Sequence, residues 1–127
     1  MARILIVDDE VHVVGALRRL LRREGFCIEV ALNGQEALEK LATFEADVVI
    51  SDFRMRGMNG LELLGQVLRV APRCVRVLIS GHADLSSGSS SHPGVISHFI
   101  SKPWDDERLV ADVRALLGGQ GPAPSGV

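Results

Sequence analysis

Short apolar runs recur along this chain, each followed by a stretch of helical period, and that alternation limits the possible folds more than anything else. Arg3 to Val7 reads as a strand buried on both faces. Glu10 to Arg23 carries Val11, Val14, Leu17 and Leu21 at helical spacing, with Asp9 as its N-cap and Gly25 as its end. Phe26 to Ala31 is a second strand, and Asn33-Gly34-Gln35-Glu36 has the form of a capping box opening a helix through about Thr43. Asp47 to Ser51 is a third strand, Asp52 to Asn59 a loop, and Gly60 to Val70 a helix that must stop before Pro72. Val75 to Ile79 and Val95 to Ile100 supply the fourth and fifth strands. Asp105 to Leu117 forms the last helix, with Leu109, Val113 and Leu116 or Leu117 inward. Such alternation implies right-handed crossovers and predicts an α/β fold, a parallel sheet covered on both faces.

The 127 residues suit one domain large enough to bury its own core. The domain is expected over residues 1–117, with 118–127 a flexible, linker-like tail rich in glycine and proline. There is no internal repeat. With 14 basic and 16 acidic residues the formal charge is -2, which argues against direct nucleic-acid binding or attraction to an anionic membrane. No apolar run approaches the roughly 20 residues that span a bilayer. Ile4-Leu5-Ile6-Val7 is too short for the core of a secretion signal. Cys27 and Cys74 lie in apolar strand-like runs without metal or redox spacing, so a cytoplasmic, reducing setting is expected.

In an open parallel sheet, ligands bind beyond the carboxyl ends of the strands. Here the first strand ends in Asp8-Asp9-Glu10, the third in Asp52, the fourth in Ser80 and the fifth in Lys102-Pro103. Three carboxylates, one hydroxyl and one amine therefore converge on a single edge. Carboxylates so placed repel one another unless a cation or a proton compensates. Hard oxygen ligands of this kind suit Mg²⁺, which commonly takes one or two carboxylates together with phosphate oxygens. A carboxylate can itself be the nucleophile, forming an acyl phosphate, and phosphoryl transfer relies mainly on positioning and electrostatics.

These residues resemble the receiver domain of two-component response regulators, over about residues 2 to 117. The resemblance is carried by Ile4-Leu5-Ile6-Val7-Asp8-Asp9-Glu10, by Ser51-Asp52-Phe53-Arg54-Met55-Arg56-Gly57-Met58-Asn59-Gly60, by Leu78-Ile79-Ser80-Gly81 and by Phe99-Ile100-Ser101-Lys102-Pro103-Trp104. It implies a flavodoxin-like, doubly wound sheet of five parallel strands in the order 2-1-3-4-5. It also implies Asp52 as acceptor of a phosphoryl group from a kinase phosphohistidine. Asp8, Asp9 and Asp52, with the backbone carbonyl of Arg54, would hold Mg²⁺. Lys102 would pair with the acceptor and the phosphate, Ser80 would sense the phosphoryl oxygen, and Phe99 would turn inward when Ser80 moves. The Lys102-Pro103 bond is expected to be cis. The partners implied are a sensor histidine kinase or phosphotransfer domain, and a downstream output protein or covalently linked output domain.

Plainer readings stand beside these. Asp8 and Asp9 also fit a strand end and a helix N-cap, and Ser80 fits a simple turn. Phe99 fits a core aromatic. Arg18, Arg19, Arg22 and Arg23 fit a solvated face as well as a docking surface for a kinase, and His12, His92 and His98 have no ligand spacing and fit the surface. Arg54 and His82, beside the acceptor and Ser80, are expected to tune how readily water reaches an acyl phosphate. Arg56 stands where the family often has proline, so a looser loop is expected there. Leu85 to Gly94, dense in serine and glycine with Pro93, lacks an apolar stripe where a receiver places its fourth helix, which is therefore expected to be degenerate or absent.

The other function classes are a receiver-fold interaction module with an impaired switch, and a small hydrolase. A haloacid-dehalogenase-like phosphatase wants a second Asp two residues past its nucleophile, where this chain has Arg54. A flavodoxin wants a phosphate-cradling loop where this chain has Asp8-Asp9.

Overall fold

The computed structural model describes residues 2–81 and 94–120. Along the chain run β1 (Arg3–Val7), α1 (Val11–Arg23), β2 (Cys27–Ala31), α2 (Gly34–Leu41), β3 (Val48–Asp52), α3 (Gly60–Val70), β4 (Val75–Ser80), β5 (His98–Ser101) and α4 (Asp106–Gln120). The strands form one parallel sheet in the order β2-β1-β3-β4-β5, as the resemblance implies. The expected gap in helix over residues 85–94 falls almost wholly on residues outside those described, as do His82, His92 and the tail from residue 121.

Side chains alternate across a strand, so each central strand feeds two apolar layers. Ile4 and Ile6 of β1 join Val77 and Ile79 of β4 on one face, where α1 contributes Val14, Leu17 and Leu21 and α4 contributes Leu109 and Val113. Leu5 and Val7 join Val49 and Leu78 on the other face, under Ala37 of α2 and Leu63, Leu64 and Val67 of α3. The central strands are almost wholly buried and the edge strands β2 and β5 only partly. This double cover explains why the central strands read as continuous apolar runs.

Several local expectations change. Asp9 does not cap α1. The N-cap is Glu10, in an extended conformation and without a side-chain cap bond, and its carbonyl accepts from the amides of Val13 and Val14. At α2, Asn33 Oδ1 accepts from the Glu36 amide, but the Glu36 carboxylate accepts from Leu32 rather than Asn33, so the box is not reciprocal. The reciprocal box is at α3, between Asn59 and Glu62. β5 starts at His98 rather than Val95, and α4 continues past Leu117 to Gln120. His98 is half-buried, with Nε2 3.2 Å from Asp112 Oδ2, so it ties the edge strand to α4 instead of lying free on the surface.

Gly60 fixes how α3 meets the end of β3. Its amide donates to the Phe53 carbonyl at 2.8 Å, and a Cβ there would collide with the Asp52 carbonyl and come within 2.9 Å of Leu78 Cδ1. Gly65, in the same helix, has open space around it. Gly60→Ala should therefore destabilise the domain by about 1–3 kcal/mol through overpacking. Gly65→Ala should stabilise it by about 0.5–1 kcal/mol through helix propensity. Denaturant melts of the two variants check this pair of opposite signs.

Candidate functional site

Burial brings together the residues that end β1, β3, β4 and β5. Asp8 is 2% exposed, Asp52 6% and Ser80 1%, which is unusual for carboxylates unless they are paired. Asp8 Oδ1 accepts the Glu10 amide at 2.9 Å, so the turn out of β1 aims the carboxylate across the sheet edge. Asp52 closes β3, and β4 ends level with it, the register pairing Asp52 with Ile79. The amide of Lys102 donates to the Ser80 carbonyl at 2.9 Å just past β5. Its side chain reaches back over the site, with Nζ 2.7 Å from Asp52 Oδ1 and 3.4 Å from Asp8 Oδ2. The Lys102-Pro103 peptide is cis, as expected.

Asp9 completes the acidic set from the next turn. Its Oδ2 accepts the Arg56 amide at 3.1 Å. A proline at position 56 would have no N–H to give. The replacement that predicts a looser loop thus supplies a hydrogen bond linking that loop to Asp9. Asp8, Asp9 and Asp52 each offer an oxygen within 4.8 Å of the others, a compact set of hard donors that fits a divalent cation such as Mg²⁺. A cleft of about 340 Å³ opens above them, lined by Asp9, Glu10, Asp52, Arg54, Gly81 and Lys102.

The charges of this edge are poorly solvated. Burial pushes the Asp8 carboxyl above the ordinary carboxylate value; the Glu10 amide and Lys102 pull it down, and the Asp52 charge pushes it up. Burial likewise raises Asp52, helped by Asp9 and Glu10 and opposed by Lys102. For Lys102, burial works against the charged form. The hydrogen bond to Asp52 and the charges of Asp8 and Asp52 outweigh it and hold the amine above its usual value. So the ammonium is held charged, while burial, only partly offset by Lys102, disfavours the charged form of both carboxylates. Ser80 adds a further signal, because its Oγ is buried with no hydrogen-bond partner among the described residues.

Phe99 pairs in register with Leu78, so it lies on the sheet face that carries Ser80, half-buried against the α2–α3 core layer. That position suits both a core aromatic and a switch. Arg54 reaches the cleft wall. The four arginines of α1 are exposed and line a shallow surface groove beside Gly15, away from the acidic cleft. Sequence reasoning missed the Arg56 amide, whose signal was only the unexpected residue type, and Gly60 as the contact behind Asp52.

The family model described as the response regulator receiver domain matches residues 4–114. The DNA-binding transcriptional regulator NtrC of Escherichia coli K12 is 34% identical over 112 residues, covering 88% of this chain and 24% of the regulator. The signal receiver domain of an HD domain-containing protein from Pseudomonas fluorescens superposes with a TM-score of 0.86 at 32% identity, over 94% of this chain and 96% of that one. The response regulator TrrA of Thermotoga maritima, solved in complex with Mg²⁺ and BeF, gives a TM-score of 0.82 at 33% identity, over 91% and 99% of the two chains. The chain belongs to the response regulator receiver domain family. It spans about a quarter of the length of the curated relatives it matches first.

A raised carboxylate pKa means that the folded domain binds more protons than the unfolded chain between the ordinary value and the shifted one, so stability is lost as pH rises through that window. In a chelator, Asp8→Asn should match the parent domain below the ordinary carboxylate range and become the more stable of the two as pH climbs to neutral. Denaturant melts across that range test the sign. A gap that stays constant or reverses contradicts it.

Proposed function

We propose that this domain accepts a phosphoryl group on Asp52 from the phosphohistidine of a sensor histidine kinase or phosphotransfer domain. The observation that carries the reading is the buried Asp8–Asp9–Asp52 set with the Lys102 ammonium 2.7 Å from Asp52 Oδ1. An Asp52 oxygen attacks phosphorus, and the phosphorus–nitrogen bond to the imidazole breaks. The departing imidazole keeps that electron pair and leaves neutral, with a proton on its other nitrogen, and Asp52 becomes an acyl phosphate. The chain acts on itself in this reaction and is no conventional enzyme. Asp8, Asp9, Asp52 and the backbone carbonyl of Arg54 would hold Mg²⁺. When bound, that ion supplies positive charge to the phosphoryl oxygens.

The remaining residues have work consistent with their positions. Lys102 holds Asp52 in place and turns part of its donor set toward the phosphoryl oxygens. Ser80 Oγ, buried and without a hydrogen-bond partner among the described residues, is a donor in waiting for one of them. Phe99, on the same sheet face, follows Ser80 inward and carries the change to the β5 edge. Arg54 at the cleft, and His82 two residues after Ser80 in the sequence, govern the approach of water, and so the lifetime of the signal. The arginines of α1 offer a docking face to the kinase. The signal passes to an output domain or protein, in the cytoplasm; among the described residues no helix is long and apolar enough to cross a membrane.

Incubation with a small acyl phosphate donor and Mg²⁺, followed by intact-mass measurement, should show one added phosphoryl group labile to mild base. Asp52→Asn should abolish it, EDTA should suppress it, and Lys102→Ala should slow it by about 10²-fold or more. An unmodified wild-type chain under a phosphohistidine donor as well would leave the interaction module with an impaired switch as the better reading. Arg54→Ala should change the dephosphorylation rate several-fold, and an unchanged rate removes Arg54 from the tuning role.

A further inference from the structure

β5 bears an unusual share of the proposed chemistry for so short a strand. It has four residues, pairs among the described residues only with β4, carries Phe99 and leads directly into Lys102. Because side chains alternate, a slip of one residue against β4 would turn Phe99 to the opposite face and carry Lys102 about 3.3 Å along the strand. That is more than enough to break its 2.7 Å contact with Asp52. Short edge strands specify their register weakly unless something pins them.

The pin is visible at the far end of β4. Arg76 spreads its guanidinium over three backbone carbonyls: Nε donates to Val95 at 2.6 Å, Nη1 to Cys74 at 2.7 Å and Nη2 to Gly94 at 3.3 Å. Its own backbone brackets Ser97, with the Arg76 amide donating to Ser97 Oγ at 3.0 Å and its carbonyl accepting from the Ser97 amide at 2.7 Å. One residue of β4 thus fixes the chain at 94, 95 and 97, immediately before β5 begins. At the other end the Lys102 amide is held by the Ser80 carbonyl. β5 is clamped at both ends by β4, and the lower clamp is one residue, Arg76, which holds the incoming chain by two side-chain and two backbone bonds.

We infer that Arg76 is a positioning residue: by fixing the entry to β5 it sets the register that places Lys102 on Asp52 and Phe99 on the Ser80 face. Arg76 lies four residues before Ser80, about 13 Å away along the strand, so it touches neither the acceptor nor the acidic set. The inference rests on the proposed role of Asp52 for its functional consequence. The register claim stands on the hydrogen bonds alone. A guanidinium suits the task because its planar fork presents several donors at fixed angles, whereas an ammonium reaches several carbonyls only by giving up that geometry.

Arg76→Ala and Arg76→Lys should be compared with the parent chain by amide hydrogen exchange and by phosphorylation with a small acyl phosphate. Exchange at His98 to Ser101 should rise in both variants, more in Arg76→Ala, while β1 and β3 stay protected. Phosphorylation at saturating donor and Mg²⁺ should fall about tenfold in Arg76→Ala, since a displacement of this size at a charged group costs that much or more. Mg²⁺ affinity should not fall, because Asp8 and Asp9 follow β1 and Asp52 ends β3, the two strands expected to stay protected. Unchanged exchange at β5 overturns the register claim, and an undiminished rate with a loosened β5 overturns its link to Lys102. If Arg76→Ala fails to fold, Arg76→Lys and Ser97→Ala, which removes only one bond of the clamp, carry the same comparison. A parent chain that takes no phosphoryl group condemns the Asp52 reading instead, and the exchange data still decide the register.

Discussion

The contact between the Lys102 ammonium and the Asp52 carboxylate is what lets an acidic cluster sit on the closed edge of an apolar sheet. Asp8 and Asp52 are buried almost as deeply as the valines beneath them. Without a cation at this point the two would repel each other across a poorly screened gap, and one would have to stay protonated. Lys102 comes 2.7 Å from one and 3.4 Å from the other, and the price is paid in its own desolvation. Lys102 does not fully offset the burial, which still holds both acids above the ordinary carboxylate value, and three acids so placed are suited to a further cation. A fully neutralised cluster would be more stable and would have less to offer a metal or a phosphoryl group.

The parallel sheet makes such an arrangement possible at little local cost. All five strands end at the same edge, so four separate strand ends deliver side chains to one place without any loop having to reach far. The helices that cover the sheet also hold the edge rigid. Gly60 is the clearest case: α3 starts so close to the Asp52 carbonyl that a methyl group has no room. The reciprocal Asn59–Glu62 box fixes where that helix begins. Asp52 is therefore held from behind by backbone contacts and from the front by Lys102.

Much of this could be read in advance because it depends on period and punctuation. The alternation of apolar runs with helical stretches gave the α/β class, and polar residues at the run ends gave Asp8, Asp9, Asp52, Ser80 and Lys102. What escaped depends on which of several partners a side chain takes. Asp9 had a free choice between the first amides of α1 and the loop after β3, and the Arg56 amide won. Glu36 met the amide of Leu32, one residue earlier than the reciprocal box requires. The pairing of His98 with Asp112 crosses from β5 to α4 and has no signature in local spacing. The start of β5 differs for the same reason, because Val95 and Ile96 are apolar enough for a strand but the Val95 carbonyl is taken by the Arg76 guanidinium.

These misses share a direction. Each involves a polar group choosing among several partners, and apart from the local Glu36–Leu32 bond each joins elements distant in sequence. Apolar burial is non-directional, so its pattern survives in the sequence as periodicity. Hydrogen bonds and ion pairs are directional and selective, and their partners emerge only when the fold brings them together. In this domain the core layers define where the strand ends fall, to within a residue or so. The last ångströms, which decide whether Lys102 reaches Asp52, belong to the directional contacts at β5. Under the proposed function the domain changes state when Asp52 is modified, and the edge strand is where that change would cost least, since among the described residues β5 has one neighbouring strand where β1, β3 and β4 each have two. Tying that strand with a few polar bonds, instead of burying it, keeps Lys102 in place while leaving the Phe99 edge able to move.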